Sequence, residues 1–419
     1  MTRSHALRTF VLMSLWTTSM LSVSSSPAHA SRDATALLAD IERASLDVAA
    51  VRQVDRLTLD TGIARWSLTE GSLYPVATPD GVVVEMVFVG KGSVRVEPED
   101  DIEAGQLELF TGAPVLDESF EEAVFAFASD GAAAALLSRP IHEAPAETTQ
   151  RARERLAAWR NSPVRDVLDV DTGIALDQIG DPLFQNFLAA WFLGETLGEL
   201  TLSYQPEAFE QLKLGRFEPL ELDAKQQRRV DRALGRQQRK GRFLGLESDD
   251  LGTWDNWLSA SGRRDGVATP GFFAFEPTHL TIRVELEPRD EMLRATARID
   301  LTPRIEGARS VGFGLPGDFL IDAVRDGAGA SLVYRRVRDQ LRVFLPSAAD
   351  GPRTVEIEYH GKGLTGASKA WIPIDNLNWY PRTGEIDRST YDLEISWPKK
   401  YQLLASGRLL AEERRGDRR

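Results

Sequence analysis

The clearest alternation of apolar and polar positions lies late in the chain. From His279 to Leu301, apolar residues fall at every second position: Leu280, Ile282, Val284 and Leu286, then Leu293, Ala295, Ala297, Ile299 and Leu301. Period two puts one face of a strand in a core and the other in water, as in an antiparallel sheet. Pro288-Arg289-Asp290-Glu291 supplies the turn between the two runs. Further strand-like runs follow at 310–315, 319–324, 331–338, 341–345 and 354–359, punctuated by Asp326-Gly327 and Ala349-Asp350-Gly351-Pro352. Short strands with close turns and no helix between them predict an antiparallel β-sandwich over 277–410. A charged tail or interrupted strand follows at 411–419.

The upstream pattern is mixed. Leu37, Leu38, Ile41, Leu46 and Val48 fall at helical spacing and predict an amphipathic helix over 35–51. From Arg56 the period changes to two, with strands at 57–60, 81–90 and 122–129. Asp60-Thr61-Gly62 closes the first of these, and Lys91-Gly92 turns the second into a hairpin with 93–98. Charged residues over 148–159 predict a surface helix. A second helix is expected over 181–193, with Asp181 as N-cap, Pro182 at the first position and Gly194 past the end. Phe184, Phe187, Leu188 and Trp191 would form its apolar face, a core stripe rather than a cofactor site. Strand returns at 199–204, so 31–250 reads as an α+β domain and the whole chain as mainly β with some helix. Asp-Thr-Gly-Ile-Ala occurs at 60–64 and again at 171–175, which is too little to establish a repeat. Residues 225–242 carry eight basic side chains against Asp231 alone, a net charge of +7. They read as a solvated helix or linker, with a docking face for an anionic partner or membrane surface as the sharper alternative. Gly, Ser and Asp around Trp254 and Trp257 mark 251–276 as the connection to the sandwich.

The first 30 residues look like an export leader: Arg3 and Arg8, an apolar run opening at Phe10, then Ala28-His29-Ala30, with cleavage between Ala30 and Ser31. The apolar run is too short to span a bilayer, and no later segment is apolar enough to do so. Two basic and no acidic residues leave with this leader, taking the net charge from −13 to −15. That balance disfavours nucleic acid as a partner. There is no Cys in the chain, which excludes disulfides, thiolate metal sites and a lipid-modified Cys. A Cys-free exported chain fits a bacterial periplasm or secretion.

No catalytic constellation emerges. The paired Asp-Thr-Gly triplets lack the surroundings of an aspartic protease and read as turns. His142-Glu143-Ala144-Pro145-Ala146 starts like the zinc motif H-E-x-x-H, but Ala replaces the second His and Pro breaks the required helix. His142, His279 and His360 have no partner at ligand spacing. Pro98 to Glu103 reads as a solvated acidic turn rather than a calcium loop. Trp371, Trp379 and Tyr380 could line a surface, though packing is their commoner role. No catalytic, cofactor-binding or metal-binding residue is assigned.

The order of several pieces carries a resemblance. These are His279-Leu280-Thr281-Ile282-Arg283-Val284, Ala295 to Leu301, Val355-Glu356-Ile357-Glu358-Tyr359-His360-Gly361, Trp379-Tyr380-Pro381, Tyr391-Asp392-Leu393-Glu394-Ile395 and Pro398 to Gly407. Over about 277–410 the chain resembles the N-terminal β domain of the aminopeptidase N family of zinc metallopeptidases. Residues 35–250 resemble, less specifically, the extension of some exported bacterial members. The resemblance implies a domain that packs on a zinc-binding catalytic domain and shapes its rim. The family's G-x-M-E-N and H-E-x-x-H motifs do not occur here, and 371–378 lacks the Gln or Glu that meets the substrate N-terminus. Zinc is therefore expected only in a catalytic domain outside this chain, and truncation after Arg419 is the expectation that explains it. The reading is a non-catalytic portion of an exported metallopeptidase whose partner is its own or a neighbouring zinc peptidase domain, with peptides as a further partner class. The alternative is a stand-alone periplasmic β-sandwich that binds or interacts.

Overall fold

Two antiparallel systems follow one another along the chain, and a computed structural model describes residues 33–127, 136–206, 211–219, 252–260, 274–367, 370–373, 379–383 and 389–419. Ala30, Ser31, the basic stretch 225–242 and residues 374–378 lie outside these. The first system opens with helix α1 (Ala34–Arg43), capped by Asp33. Strands β1 (Ser45–Leu46), β2 (Arg52–Asp60), β3 (Ala64–Ala77) and β4 (Val83–Val96) follow, then α2 (Asp101–Thr111) and β5 (Leu116–Phe127). Next come α3 (Ala146–Arg160), α4 (Pro163–Val167) and α5 (Val170–Gln178). Strands β6 (Leu188–Gly194), β7 (Gly198–Tyr204), β8 (Leu212–Pro219) and β9 (Gly252–Ala260) complete it. The strands form one nine-stranded sheet in the order β1-β3-β4-β5-β6-β7-β8-β9, with β2 also paired to β3.

Both faces of this sheet are buried. Residues of α1, α3, α4 and α5 pack on one face with Tyr74, Val87, Val124 and Trp191. The other face gathers side chains from β2 through β9 into a second core, which requires the sheet to curl. Trp66 sits at its centre, edge-on to Phe120, Phe125 and Phe192 at 5.1–5.7 Å. The curl depends on glycines. A Cβ on Gly90 would lie 2.1 Å from the Glu70 carbonyl oxygen, and Gly71 opposite adopts φ +148°. Pairing shifts register between Leu68 and Glu70 and again between Val89 and Gly92, so β3 and β4 bend there without breaking.

That corrects several expectations. Val83–Val96 is one bent strand, not a hairpin turning at Lys91-Gly92. Residues 188–194, expected as a helix, are β6, hydrogen-bonded to β5 and β7. Its run Leu188-Ala-Ala-Trp-Phe is buried on both sides, so it carries no alternation, and aromatic spacing imitated a helical face. Asp101–Thr111 is a helix where an acidic turn was expected, with Asp100 accepting from the N–H of Ile102 at 2.7 Å. Asp171-Thr172-Gly173 lies inside helix α5, whereas Asp60-Thr61-Gly62 is a turn, so the two strings are not equivalent. Gly252–Ala260, read as connection, pairs with β8 as the last strand of the sheet.

The second system keeps its expected strands. They are β10 (Phe275–Glu287), β11 (Met292–Pro303), β12 (Ser310–Gly314), β13 (Phe319–Asp326), β14 (Tyr334–Val337), β15 (Gln340–Phe344) and β16 (Arg353–Lys362). After the short hairpin β17 (Leu364–Ala367) and β18 (Ala370–Pro373) comes β19 (Thr390–Ser396). A five-stranded sheet, β13-β16-β11-β10-β19, shares a core with the three-stranded β12-β15-β14. Leu280, Ile282, Val284, Ala297, Ile299, Val355 and Ile357 face Val311, Phe313, Leu341 and Val343 in that core. The β19 strand joins β10 in parallel, an exception to the antiparallel pattern. The protein is mainly β, and among the described residues its α-helices fall in the first system, the second holding one 3-10 turn at Pro288–Asp290.

Candidate functional site

The residues first considered for chemistry do not converge. His142 meets Ser72 at 3.1 Å, His279 meets Thr390 at 2.8 Å, and His360 meets Asp322 at 2.7 Å. Among the described residues no three His, Cys, Asp or Glu side chains are grouped to hold a metal ion, and these three histidines sit in separate pairs. The described residues therefore do not gather the ligands of a zinc site. Trp379 and Tyr380 pack edge to face at 5.2 Å, and the Trp379 carbonyl accepts from the buried Tyr359 hydroxyl at 3.1 Å. Burial pushes the Tyr359 phenol above its ordinary range.

A different group of charged residues converges where the two systems meet. Glu85 stands alone in the apolar run of β4, so its carboxylate enters the core with the strand and needs partners. It accepts from the Trp159 indole N–H at 2.8 Å and from the Arg165 guanidinium. Arg160 Nη2 lies 3.5 Å from its other oxygen. Arg165 is placed by α4, a short helix capped by Ser162 with Pro163 in its first turn. The other arm of its guanidinium donates to Asp171 on α5. Asp171 accepts in addition from Arg335 of β14 at 3.1 Å, and Asp166 and Asp169 lie 3.4 and 3.6 Å from the same Arg335. Beside this cluster, fully buried Asp181 accepts from the N–H groups of Leu183 and Arg309, both at 3.0 Å, and from the Ser310 hydroxyl at 2.9 Å. Arg342 lies over the Phe184 ring at 5.3 Å.

Electrostatics settles what these groups do. Burial works against the charge on Arg165, but the carboxylates of Glu85 and Asp171 outweigh it and hold the guanidinium above its ordinary range. Burial likewise opposes the charge on Asp171, yet Arg165 and Arg335 hold it below the usual carboxylate range. Asp181 goes the other way: burial dominates over its three donors and raises it. Burial also raises Asp166 and Asp169, against the pull of Arg335. Their side chains stay 40% and 30% exposed, so solvent softens the effect. An aspartate locked between two guanidiniums is poorly placed to act as a base, and the Thr172 hydroxyl that reaches the cluster is spent on Asp169. The arrangement is a clamp that fastens β14 and the start of β12 to α4, α5 and the turn after Asp181. Sequence reasoning missed it. The lone Glu in Val82-Val83-Val84-Glu85-Met86-Val87 was the available signal, since an acid in a doubly buried strand demands a cation. Nothing in the sequence pointed to Arg335.

No known family model matches this chain, and no curated protein matches it. Solved structures do. An M1 zinc metallopeptidase from Deinococcus radiodurans is similar over 38% of this chain and 39% of that one, at 14% identity and a TM-score of 0.30. Aminopeptidase A from Legionella pneumophila, solved with aspartic acid, is similar over 32% of this chain and 17% of that one, at 12% identity and a TM-score of 0.28. The yeast LTA4 hydrolase is similar over 30% and 23% respectively, at 11% identity and a TM-score of 0.25. Zinc metallopeptidases of the M1 type are thus among the structural neighbours, at low identity and partial coverage. This chain spans well under half the length of each.

Proposed function

We propose that this chain is the non-catalytic N-terminal portion of an exported aminopeptidase-like zinc metallopeptidase. Its sandwich packs against a catalytic domain, on the same or a neighbouring chain, and shapes access to it. One observation carries the reading. The pieces that resemble the family β domain fall on four adjacent strands of one sheet: Val355–Gly361 on β16, Ala295–Leu301 on β11, His279–Val284 on β10 and Tyr391–Ile395 on β19. Beyond β19 the chain exposes Leu404, Leu409 and Leu410, apolar surface suited to a packed neighbour. The leader-like first 30 residues support export, with a mature start at Ser31.

Three measurements test this. Coding DNA read past the codon for Arg419 should continue in frame, or lie beside a gene, encoding H-E-x-x-H with a later Glu; a stop codon with no such neighbour overturns the proposal. The purified 419-residue chain should release no N-terminal amino acids from peptides, and hydrolysis that a chelator abolishes would refute its non-catalytic role. N-terminal sequencing of the exported protein should begin at Ser31.

A further inference from the structure

An acidic helix and the two fixed ends of a basic link lie at one end of the nine-stranded sheet. Val96 pairs with Leu116, Gly194 with Gly198 and Pro219 with Gly252. In an antiparallel meander these registers put the flanking residues of the links 97–115, 195–197 and 220–251 at the same end. The first link holds α2. Its Leu107 is buried in the core, and its Phe110 stacks on Trp257 of β9, at 5.9 Å and 7° between planes. Its outer side is unusual for a surface helix, with Ile102 81%, Leu109 83% and Phe110 41% exposed. Ile102 and Leu109 are two turns apart and share a face. Around them stand Glu97, Glu99, Asp100, Asp101, Glu103 and Glu108, with no Lys or Arg between Glu97 and Thr111.

The link 220–251 lies outside the described residues, but its sequence is the complement. Its 225–242 stretch carries net charge +7, with Val230 and Leu234 within it and Phe243, Leu244 and Leu246 just after. Both its ends are fixed, at Pro219 and Gly252, and β9 itself contacts α2. At about 3.3 Å per extended residue, the distance from Pro219 to Leu234 can span the width of the domain. A tether of this kind gives an effective concentration of about millimolar, so exposed ion pairs that are individually weak suffice to hold the segment.

We propose that the outer face of α2, with Ile102 and Leu109 bordered by Asp101, Glu103 and Glu108, is the docking surface for the chain's own basic segment 225–246. Docking neutralises an acidic rim and covers apolar side chains that otherwise face water. It also accounts for a basic run inside an acidic protein without invoking an external anionic partner.

The absence of Cys makes a direct test simple. Leu109→Cys with Leu234→Cys, both in the full chain, are joined with a short bismaleimide. Intramolecular cross-linking should run at least about tenfold faster than for a control pair, Leu320→Cys with Leu234→Cys, because a docked segment holds the thiols at raised local concentration. Adding Asp101→Lys and Glu108→Lys, or about 1 M salt, where the screening length falls to about 3 Å, should bring the rate down to the control. Asp101, Glu108, Leu109 and Leu320 are exposed, and far-UV circular dichroism checks that each variant folds. A rate equal to the control, or one indifferent to charge reversal, overturns the proposal. Cross-links formed only between two chains would assign the surface to a second copy and overturn it as well.

Discussion

The curled first sheet and the sandwich differ in how many of their faces meet water. Strand β10 alternates buried and exposed positions along most of its length, because the outer face of its sheet is solvated. Strand β6 is buried at five consecutive positions, because helices cover one side and the aromatic core fills the other. The same backbone geometry thus writes two different sequence patterns. Alternation is a record of one-sided solvation, not of strand structure itself, and it disappears where a sheet is covered twice.

This comparison can be broken by mutation, with the largest effect expected in the doubly covered sheet. Trp66→Ala removes the ring on which three phenylalanines pack and should destabilise the protein by about 3–5 kcal/mol in denaturant titration. A change below about 1 kcal/mol would mean that the curled core is not closely packed. Next comes the seam. Arg335→Ala leaves Asp169 and Asp166 without their cation while Asp171 keeps Arg165, and should cost about 1–3 kcal/mol. If Arg335 fastens the two systems, the variant should unfold with the tryptophans of the first system and the strand signal of the second out of step.

The pH dependence sharpens the picture further, because two carboxyl groups of the seam are shifted in opposite directions. Asp171 is held below its ordinary range, so its contribution is complete above the unfolded value, about 3.9, and is lost as pH falls through the lower folded one. Asp181 is raised, so the folded state binds its proton more tightly. Its contribution favours folding in mild acid and is lost as pH rises through the folded value. Asp171→Asn should therefore be most destabilised near neutral pH and approach the wild type in strong acid. Asp181→Asn should flatten any gain in stability on acidification from neutral. Denaturation midpoints from neutral pH down into strong acid would show this, and parallel curves for both variants would refute the assignment. The smallest effect belongs to the wet face of the sandwich. Arg283 and Glu394 pair at 3.3 Å with side chains 72% and 77% exposed. Arg283→Ala should change stability by less than about 1 kcal/mol, and by less still at high salt.

Much of the sandwich was legible, down to the turn at Pro288–Asp290 and the strands near 310, 319, 341 and 354. In the first system the surface helix at Ala146–Arg160 was legible too, and Ala152, Leu156 and Trp159 are the face it packs on the core. The helix expected at 181–193 was not there. Asp181 does cap a turn, as its position before Pro182 suggested, but its other oxygen reaches across to Arg309 and Ser310, 128 and 129 residues away. Capping chemistry is local and can be read. The choice of what the following residues pair with is not local.

By itself the sequence determined which strands of the sandwich have a wet face, where several of its turns fall, and that no Cys is available for disulfide chemistry. It also placed the family-like pieces in order. Tertiary structure alone decided that β3 and β4 run on through their glycines, because only the opposing strand reveals that a Cβ at Gly90 would strike the Glu70 carbonyl. It likewise decided that Glu85, Arg165, Asp171 and Arg335 meet. Their ion pairs join residues up to 164 positions apart, and such contacts depend on how strands are laid side by side, which no local period encodes.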